Sequence, residues 1–252
     1  MKMPPSPGRI NIIGSCLSDC SRETAFELIK KRLDAGQGGY VCFTNVHTAV
    51  LGRQQPGFRE ITNRSLLSCA DGKPLYWVGR MKGARNLAHM PGPDTMIDVL
   101  RAFSDRRHFF YGSRPETLER LCARLPQLVP GLQISGVLSP PFGPVSAEER
   151  QAHYAMIRDS GADLVWVGLG APKQEQWMAQ AAPELGNTIL LGVGAAFDFY
   201  AGTVRRAPSG MRRLGLEWLY RLCQEPRRLW KRYLVTNSLF IGYALGDVLR
   251  DR

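Results

Sequence analysis

One acid, two glycine turns and a run of arginines are the residues of this chain whose types and spacing could do chemistry. Asp71 lies in "CADGKPLYWVGR", residues 69–80, between two apolar runs. An Asp-Gly pair in that setting reads first as a tight turn, because glycine takes positive φ and aspartate tolerates it. It could equally present a carboxylate as a general base. Gly-x-Gly occurs in "GLGAPKQE" at 168–175 and in "GVGAAFD" at 192–198. After a strand, such a turn exposes helix amides whose partial positive charge suits phosphate. Between Arg205 and Arg232 nine basic residues stand against Glu217 and Glu225, a local +7 in a chain of net charge +11. That tail points to an anionic partner: nucleic acid, phospholipid headgroups or a diphosphate.

Other chemistries are excluded by what the spacing lacks. Neither glycine turn completes GxGxxG, and no acid follows Gly168 by ~20 positions to hold a ribose, so a dinucleotide enzyme fits poorly. There is no GxxxxGK[ST] phosphate loop. The histidines (47, 89, 108, 153) are scattered without metal-ligand spacing, so no metal and no cofactor are expected. Six cysteines (16, 20, 42, 69, 122, 223) form no CxxC pair and read as reduced, mostly buried thiols of a cytosolic protein. The start, "MKMPPSPGRINIIGS", has prolines where an export signal needs an unbroken apolar core. Near the end, "YLVTNSLFIGYALGDVL" falls short of the ~20 apolar residues of a spanning helix, so contact with a membrane is expected to be peripheral.

The elements that must position these residues alternate along the chain. Strand candidates are "RINIIG", "GYVCFTN", "RHFFYGS", "LQISGVL", "ADLVWVGLG" and "NTILLGVGAAFDF", whose continuous apolar character suits a parallel sheet covered on both faces. Between them, stretches such as "SRETAFELIKKRLDAG" and "RPETLERLCARLP" open on capping or helix-starting residues and carry apolar positions at helical spacing. The pattern predicts an α/β, Rossmann-like, doubly wound and mostly parallel sheet over residues 1–200, with a basic helical appendage over 201–252. In such sheets ligands bind beyond the carboxyl ends of the strands. This singles out the loops at 43–45, 111–113, 168–175 and 192–198, and within them Gly112 and Gly170 as substrate-facing residues. In the appendage, Leu214, Trp218, Leu222, Leu229 and Tyr233 fall on one stripe among the arginines, with Pro226 placed to begin a second helix. A chain stopping near Tyr200 would retain every one of these strands and is expected to fold without the appendage.

The stretches "TNVHTAV", "ADGKPLYWVGR", "PGPD", "FFYGS", "ADLVWVGLGAPKQEQWM", "GVGAAFDFYAGTVRRAP" and "GLEWLYRLCQEPRRLWKRY" resemble, in order and over about residues 10–235, the WecG/TagA/CpsF glycosyltransferases. The resemblance implies an inverting, metal-independent transfer from a UDP-sugar to a polyprenyl-diphosphate-linked acceptor in bacterial surface polysaccharide synthesis. The enzyme would sit in the cytoplasm, peripheral to the inner face of the cytoplasmic membrane. The Asp-x-Asp pair with which many other sugar transferases hold a metal occurs nowhere.

Carried onto these residues, the family makes Asp71 the base, with Gly72 reversing the backbone so that turn and base are one feature. Thr44 and Asn45 stand beside it in the substrate pocket, though Asn45 could serve equally as a helix cap. Gln174 matches a polar position near the donor, or is an ordinary first-turn residue; Trp177 reads as core. Asp94 matches a family aspartate, but His89 stands where the family usually has arginine, and Asp94 reads better as the cap of "TMIDVLRAF". Arg206 and Arg221 are expected to clamp the diphosphate, with Arg228 and Arg232 meeting diphosphate or lipid phosphate. The rival readings are a basic nucleic-acid-binding module and an inactive or hydrolytic nucleotide-sugar-binding homologue. No nucleic-acid motif appears, so nucleic acid is not expected as a partner. A homo-oligomer is left open.

Overall fold

The computed structural model describes residues 7–250. The expectation drawn from the prolines at the chain start falls largely on residues 1–6, outside the described residues. The chain opens with β1 (Arg9–Ile12), β2 (Ser15–Ser18), α1 (Arg22–Asp34), β3 (Gly39–Thr44), α2 (Val46–Gln54), α3 (Pro56–Asn63), β4 (Leu67–Ala70), α4 (Lys73–Met81) and α5 (Gly92–Ala102). It continues with β5 (Arg107–Gly112), α6 (Pro115–Leu128), β6 (Gln133–Leu138), α7 (Ala147–Asp159), β7 (Leu164–Gly168), α8 (Lys173–Glu184), β8 (Ile189–Gly192) and α9 (Ala196–Ala201). The tail is α10 (Ser209–Arg213), α11 (Glu217–Gln224) and α12 (Pro226–Arg250).

Six strands form one all-parallel sheet in the order β4-β3-β8-β7-β5-β6. The arrangement is the Rossmann-like α/β fold that the apolar runs predict. Strand side chains alternate between two cores, as a pleat of period two requires. Val41, Phe43, Phe110, Trp166 and Leu191 enter one, while Cys42, Phe109, Tyr111, Val165 and Leu190 enter the other. Burial on both faces explains why these strands read as unbroken apolar runs.

Three expectations need correction. "RINIIG" forms a strand but does not join the parallel sheet: the chain turns at Ile13 and Gly14, both at positive φ, and β1 pairs antiparallel with the short β2 in a separate two-stranded sheet. The final strand ends at Gly192, and "AFDF" belongs to α9, with Ala195 as its N-cap. The appendage stripe is also broken. Leu214 lies exposed after α10, whereas Leu229 on α12 is buried.

Pro226 does open the second long helix, where its missing N–H costs nothing. α12 returns to the body: Phe240 and Ala244 join Ile12, Ile13, Leu75 and Val78 in a third core cluster. Near its end Asp247 Oδ2 accepts the Ile13 N–H at 2.5 Å and pairs with Lys82 Nζ at 3.3 Å. By contrast, α10 and α11 bury no residue. Among the described residues no helix is long and apolar enough to cross a membrane.

Candidate active site

The carboxyl ends of β3, β4, β7 and β8 open into a cleft of about 1330 Å³, closed on its far side by the tail. Asp71 follows β4 directly, and its own N–H donates to the Thr44 carbonyl at the end of β3 (2.9 Å). Its Oδ1 accepts the Gly92 N–H at 2.8 Å, and its Oδ2 receives the Asn45 amide at 3.4 Å. Gly92 reaches it because the segment from His89 runs beside β4, with Met90 N–H donating to the Ala70 carbonyl. Gly72 has φ −91° and ψ 135° and caps α4, so the chain passes from strand to helix without the left-handed turn that the Asp-Gly pair suggested. A Cβ there would meet only ordinary contacts.

Burial raises the Asp71 pKa to about 6, and Glu217 adds to the rise; the Gly92 N–H, the Asn45 amide and Arg206 oppose it. A carboxylate with that pKa is ionised at neutral pH yet remains a useful proton acceptor. His89 is held down to about 4 by burial and by Lys73, so it is neutral. Its Nε2–H donates to the Asp71 carbonyl at 2.9 Å.

The other expected residues separate into those that face the cleft and those that support it. Asn45 caps α2 in a capping box with Thr48, and its side-chain amide also reaches Asp71 at the cleft. Thr44 does not reach the cleft, because its hydroxyl is buried against Ser68 at 2.8 Å. Gly112 is also outside it. At φ +111° a Cβ there would strike the Gly168 backbone at 2.8 Å, so this glycine serves the close approach of β5 to β7. Gly170 lines the cleft at φ +77°, and Gln174 lies between the two glycine loops. Trp177 is core, stacked on Tyr111 with ring centroids 4.1 Å apart.

Asp94 is not a cap. Pro91 occupies the N-cap position of α5, and Asp94 instead receives Arg206 through two bonds (2.6 and 2.9 Å) and Arg212 through one at 3.3 Å. Burial pushes the Asp94 carboxyl up, but these arginines outweigh it and hold the pKa below its usual value. Arg206, also bonded to Glu217 at 3.2 Å, is thereby occupied and does not line the cleft. Arg212, Arg213, Arg221, Arg228 and Arg232 do line it. Arg221 lies 5.7 Å over the Phe199 ring, with its Nε buried and unpartnered; the Arg232 Nε is likewise unpartnered, and Arg228 contacts Glu225.

Two cleft residues escaped the sequence reading. His47, two positions after the Asn45 cap, is held to a pKa of about 4 by burial and by Arg232, and its Nδ1 is buried without a partner. Asp198, in the first turn of α9, is a second carboxylate raised by burial and held by Thr203. Their signal was position alone: each lies just past a strand end. Among the described residues no three His, Cys, Asp or Glu side chains gather where they could hold a metal.

A site with perturbed carboxylates, two glycine loops and a wall of arginines suits the transfer of a group that leaves as a phosphate anion. Residues 10–252 match the glycosyl transferase WecG/TagA/CpsF family. The chain is 27% identical over 209 residues to an N-acetylglucosaminyldiphosphoundecaprenol N-acetyl-beta-D-mannosaminyltransferase of Bacillus subtilis (strain 168), covering 82% of this chain and 79% of that one. It is 28% identical over 204 residues to the protein of the same name in Bacillus spizizenii, covering 80% and 77%. With nearly its whole length matched, the chain belongs to the WecG/TagA/CpsF family of glycosyltransferases.

Proposed function

We propose that this glycosyltransferase moves a sugar from a UDP-sugar to a polyprenyl-diphosphate-linked saccharide, with inversion and without a metal ion. The observation that carries the reading is Asp71, raised to about 6 at a strand end and facing the same cleft as five arginines. The names of the two relatives, both N-acetylglucosaminyldiphosphoundecaprenol transferases, support this acceptor class. Asp71 takes the proton of the acceptor hydroxyl. The oxygen attacks the anomeric carbon on the face opposite the nucleotide, the carbon–oxygen bond to the diphosphate breaks, and UDP leaves with the bonding pair. A single displacement from the opposite face inverts the anomeric centre.

The leaving diphosphate gathers negative charge, which guanidinium groups stabilise in a water-poor site. Arg221 and Arg232 suit this role best, because each lines the cleft and has a buried Nε with no hydrogen-bond partner. Arg206 is better read as a prop, since Asp94 and Glu217 already hold it. The arginines' place inside the cleft favours a bound diphosphate over the nucleic-acid alternative. On this reading the enzyme works at the inner membrane face on its lipid-linked acceptor, with the exposed side of α12 making contact.

The test is a thermal-shift series of UDP-sugars, followed by transfer to a lipid-linked N-acetylglucosamine acceptor with and without EDTA. Expected are stabilisation by UDP-sugar, EDTA-insensitive transfer and a product of inverted anomeric configuration. Transfer abolished by chelator and restored by magnesium or manganese would overturn the arginine account. Release of free sugar without transfer would favour the hydrolytic reading.

A further inference from the structure

The buried acid beside the cleft has no role in this chemistry. Glu175 on α8 is 1% exposed, near the Cys42 thiol, and burial holds its carboxyl above the usual range. One oxygen, Oε2, has no partner, while Oε1 accepts the Gln174 Nε2 at 2.9 Å. A buried carboxyl with an unsatisfied oxygen costs free energy that an apolar side chain of the same size would not.

What that cost maintains is the orientation of the neighbouring amide. Gln174 Nε2 donates both to Glu175 and to the Gly192 carbonyl (2.9 Å), and Gln174 Oε1 accepts the Gly170 N–H at 3.2 Å. The amide therefore ties the loop after β7 to the end of β8. Its seat exists because residues 192 and 194 have no side chain: a Cβ at either would lie 3.3 Å from the amide. A primary amide can flip end for end and exchange donor for acceptor. The Gly192 carbonyl and the Gly170 N–H oppose the flip, and Glu175 Oε1, which accepts from the same nitrogen, adds to that opposition.

We propose that Glu175 is a positioning residue: through Gln174 it fixes the spacing of the two glycine loops that receive the donor nucleotide. The proposal rests on the glycosyltransferase reading for what those loops bind, though not for the tie itself. A merely structural Glu175 would lose stability and activity together. A positioning role separates them.

Two variants and two readouts decide it. Glu175→Gln keeps an acceptor oxygen and should retain UDP affinity and donor KM within about twofold. Glu175→Met removes both the acceptor and the unsatisfied oxygen. It should melt within a few degrees of wild type, yet lose ~10-fold in UDP affinity and raise donor KM by a similar factor. In the nucleotide-free protein, the Gly170 amide should exchange with deuterium faster in Glu175→Met than in wild type. That last readout needs no donor, so faster exchange in a protein that ignores UDP would leave the tie standing and sink the functional reading. Unchanged Gly170 exchange, or wild-type UDP affinity in Glu175→Met, would overturn the proposal. So would a melting temperature lowered by more than about 8 °C in parallel with activity.

Discussion

The two walls of the cleft are built by different means. On the body side Asp71, Asn45, Gln174 and the glycine loops stand at the ends of strands buried on both faces, and each is fixed by short-range hydrogen bonds. On the tail side α10 and α11 bury nothing, and ion pairs hold Arg206 and Arg212 on Asp94, Arg206 also on Glu217, and Arg228 on Glu225. A rigid frame suits a base that must meet a hydroxyl at bonding distance. Charge acts over longer range and tolerates looser placement. The prediction is that changes in the body wall alter the chemical step steeply, whereas changes in the tail wall alter binding gradually.

Asp71→Asn should give the largest effect. It keeps the acceptor oxygen for the Gly92 N–H and removes the base, so kcat should fall by ~10²- to 10⁴-fold while UDP affinity is retained. A variant keeping more than about a third of wild-type turnover would break the assignment. In wild type, log kcat/KM should climb with pH and level off above about 6, where Asp71 becomes ionised. Stability should run the other way. A carboxyl raised from 3.8 to about 6 binds more protons folded than unfolded, so stability falls as pH rises through that window. Asp71→Asn should therefore melt higher than wild type at pH 8 and show no such gain at pH 4.

Next come the unpartnered arginines. Arg221→Met or Arg232→Met should each cost ~10- to 100-fold in kcat/KM, the weight of a charge-assisted bond to phosphate. Rising salt should weaken wild type more than either variant. If both variants matched wild type, the charge compensation would have to come from elsewhere in the site.

The pair that ties the walls together should matter less. Asp94→Asn leaves Arg206 with Glu217 alone, loosening the tail without touching the base; UDP-sugar KM should rise ~3- to 10-fold with kcat little changed. A collapse of kcat would mean that Asp94 acts on the reacting atoms. The sequence could not reveal this pair, because its partners lie 112 positions apart and Asp94 sits where a local cap is the simpler reading. The same limit applies to Thr44, whose hydroxyl turns to Ser68 on the neighbouring strand.

Strands read from composition fared better. β3, β5 and β7 are rich in β-branched and aromatic residues, whereas β2 "SCLS" and β4 "LSCA" have too few for a strand signal despite being buried. Asp71 could be singled out as a candidate because a family motif surrounds it, and the structure places it in the cleft. Arg206 was misplaced because a run of arginines does not say which of them finds a carboxylate. The appendage was legible as helices but not as a returning one, since nothing local marks Phe240 and Ala244 as body contacts.

The smallest effect on chemistry should come from the outer side of α12. Trp230, Leu234, Ile241 and Leu245 are each more than half exposed, and at 100° per residue they fall within one sector of the helix. Arg227 and Lys231 belong to the same basic stretch, a combination suited to a headgroup interface. A neighbouring sector, about 110° round the helix, carries Leu229, Thr236, Phe240 and Ala244, which are buried. Leu234→Glu together with Leu245→Glu adds charge only on the outer sector, so the fold and the cleft should be unaffected. Turnover of a short, soluble acceptor should stay at the wild-type rate. Sedimentation with anionic liposomes should fail for the double variant, while wild-type binding weakens with salt because ~1 kcal/mol per surface-facing basic residue is electrostatic. Liposome binding that survives the double substitution would move the membrane contact away from this face. A matching loss with the soluble acceptor would break the distinction between a wall that does chemistry and a helix whose outer side only delivers it to the lipid.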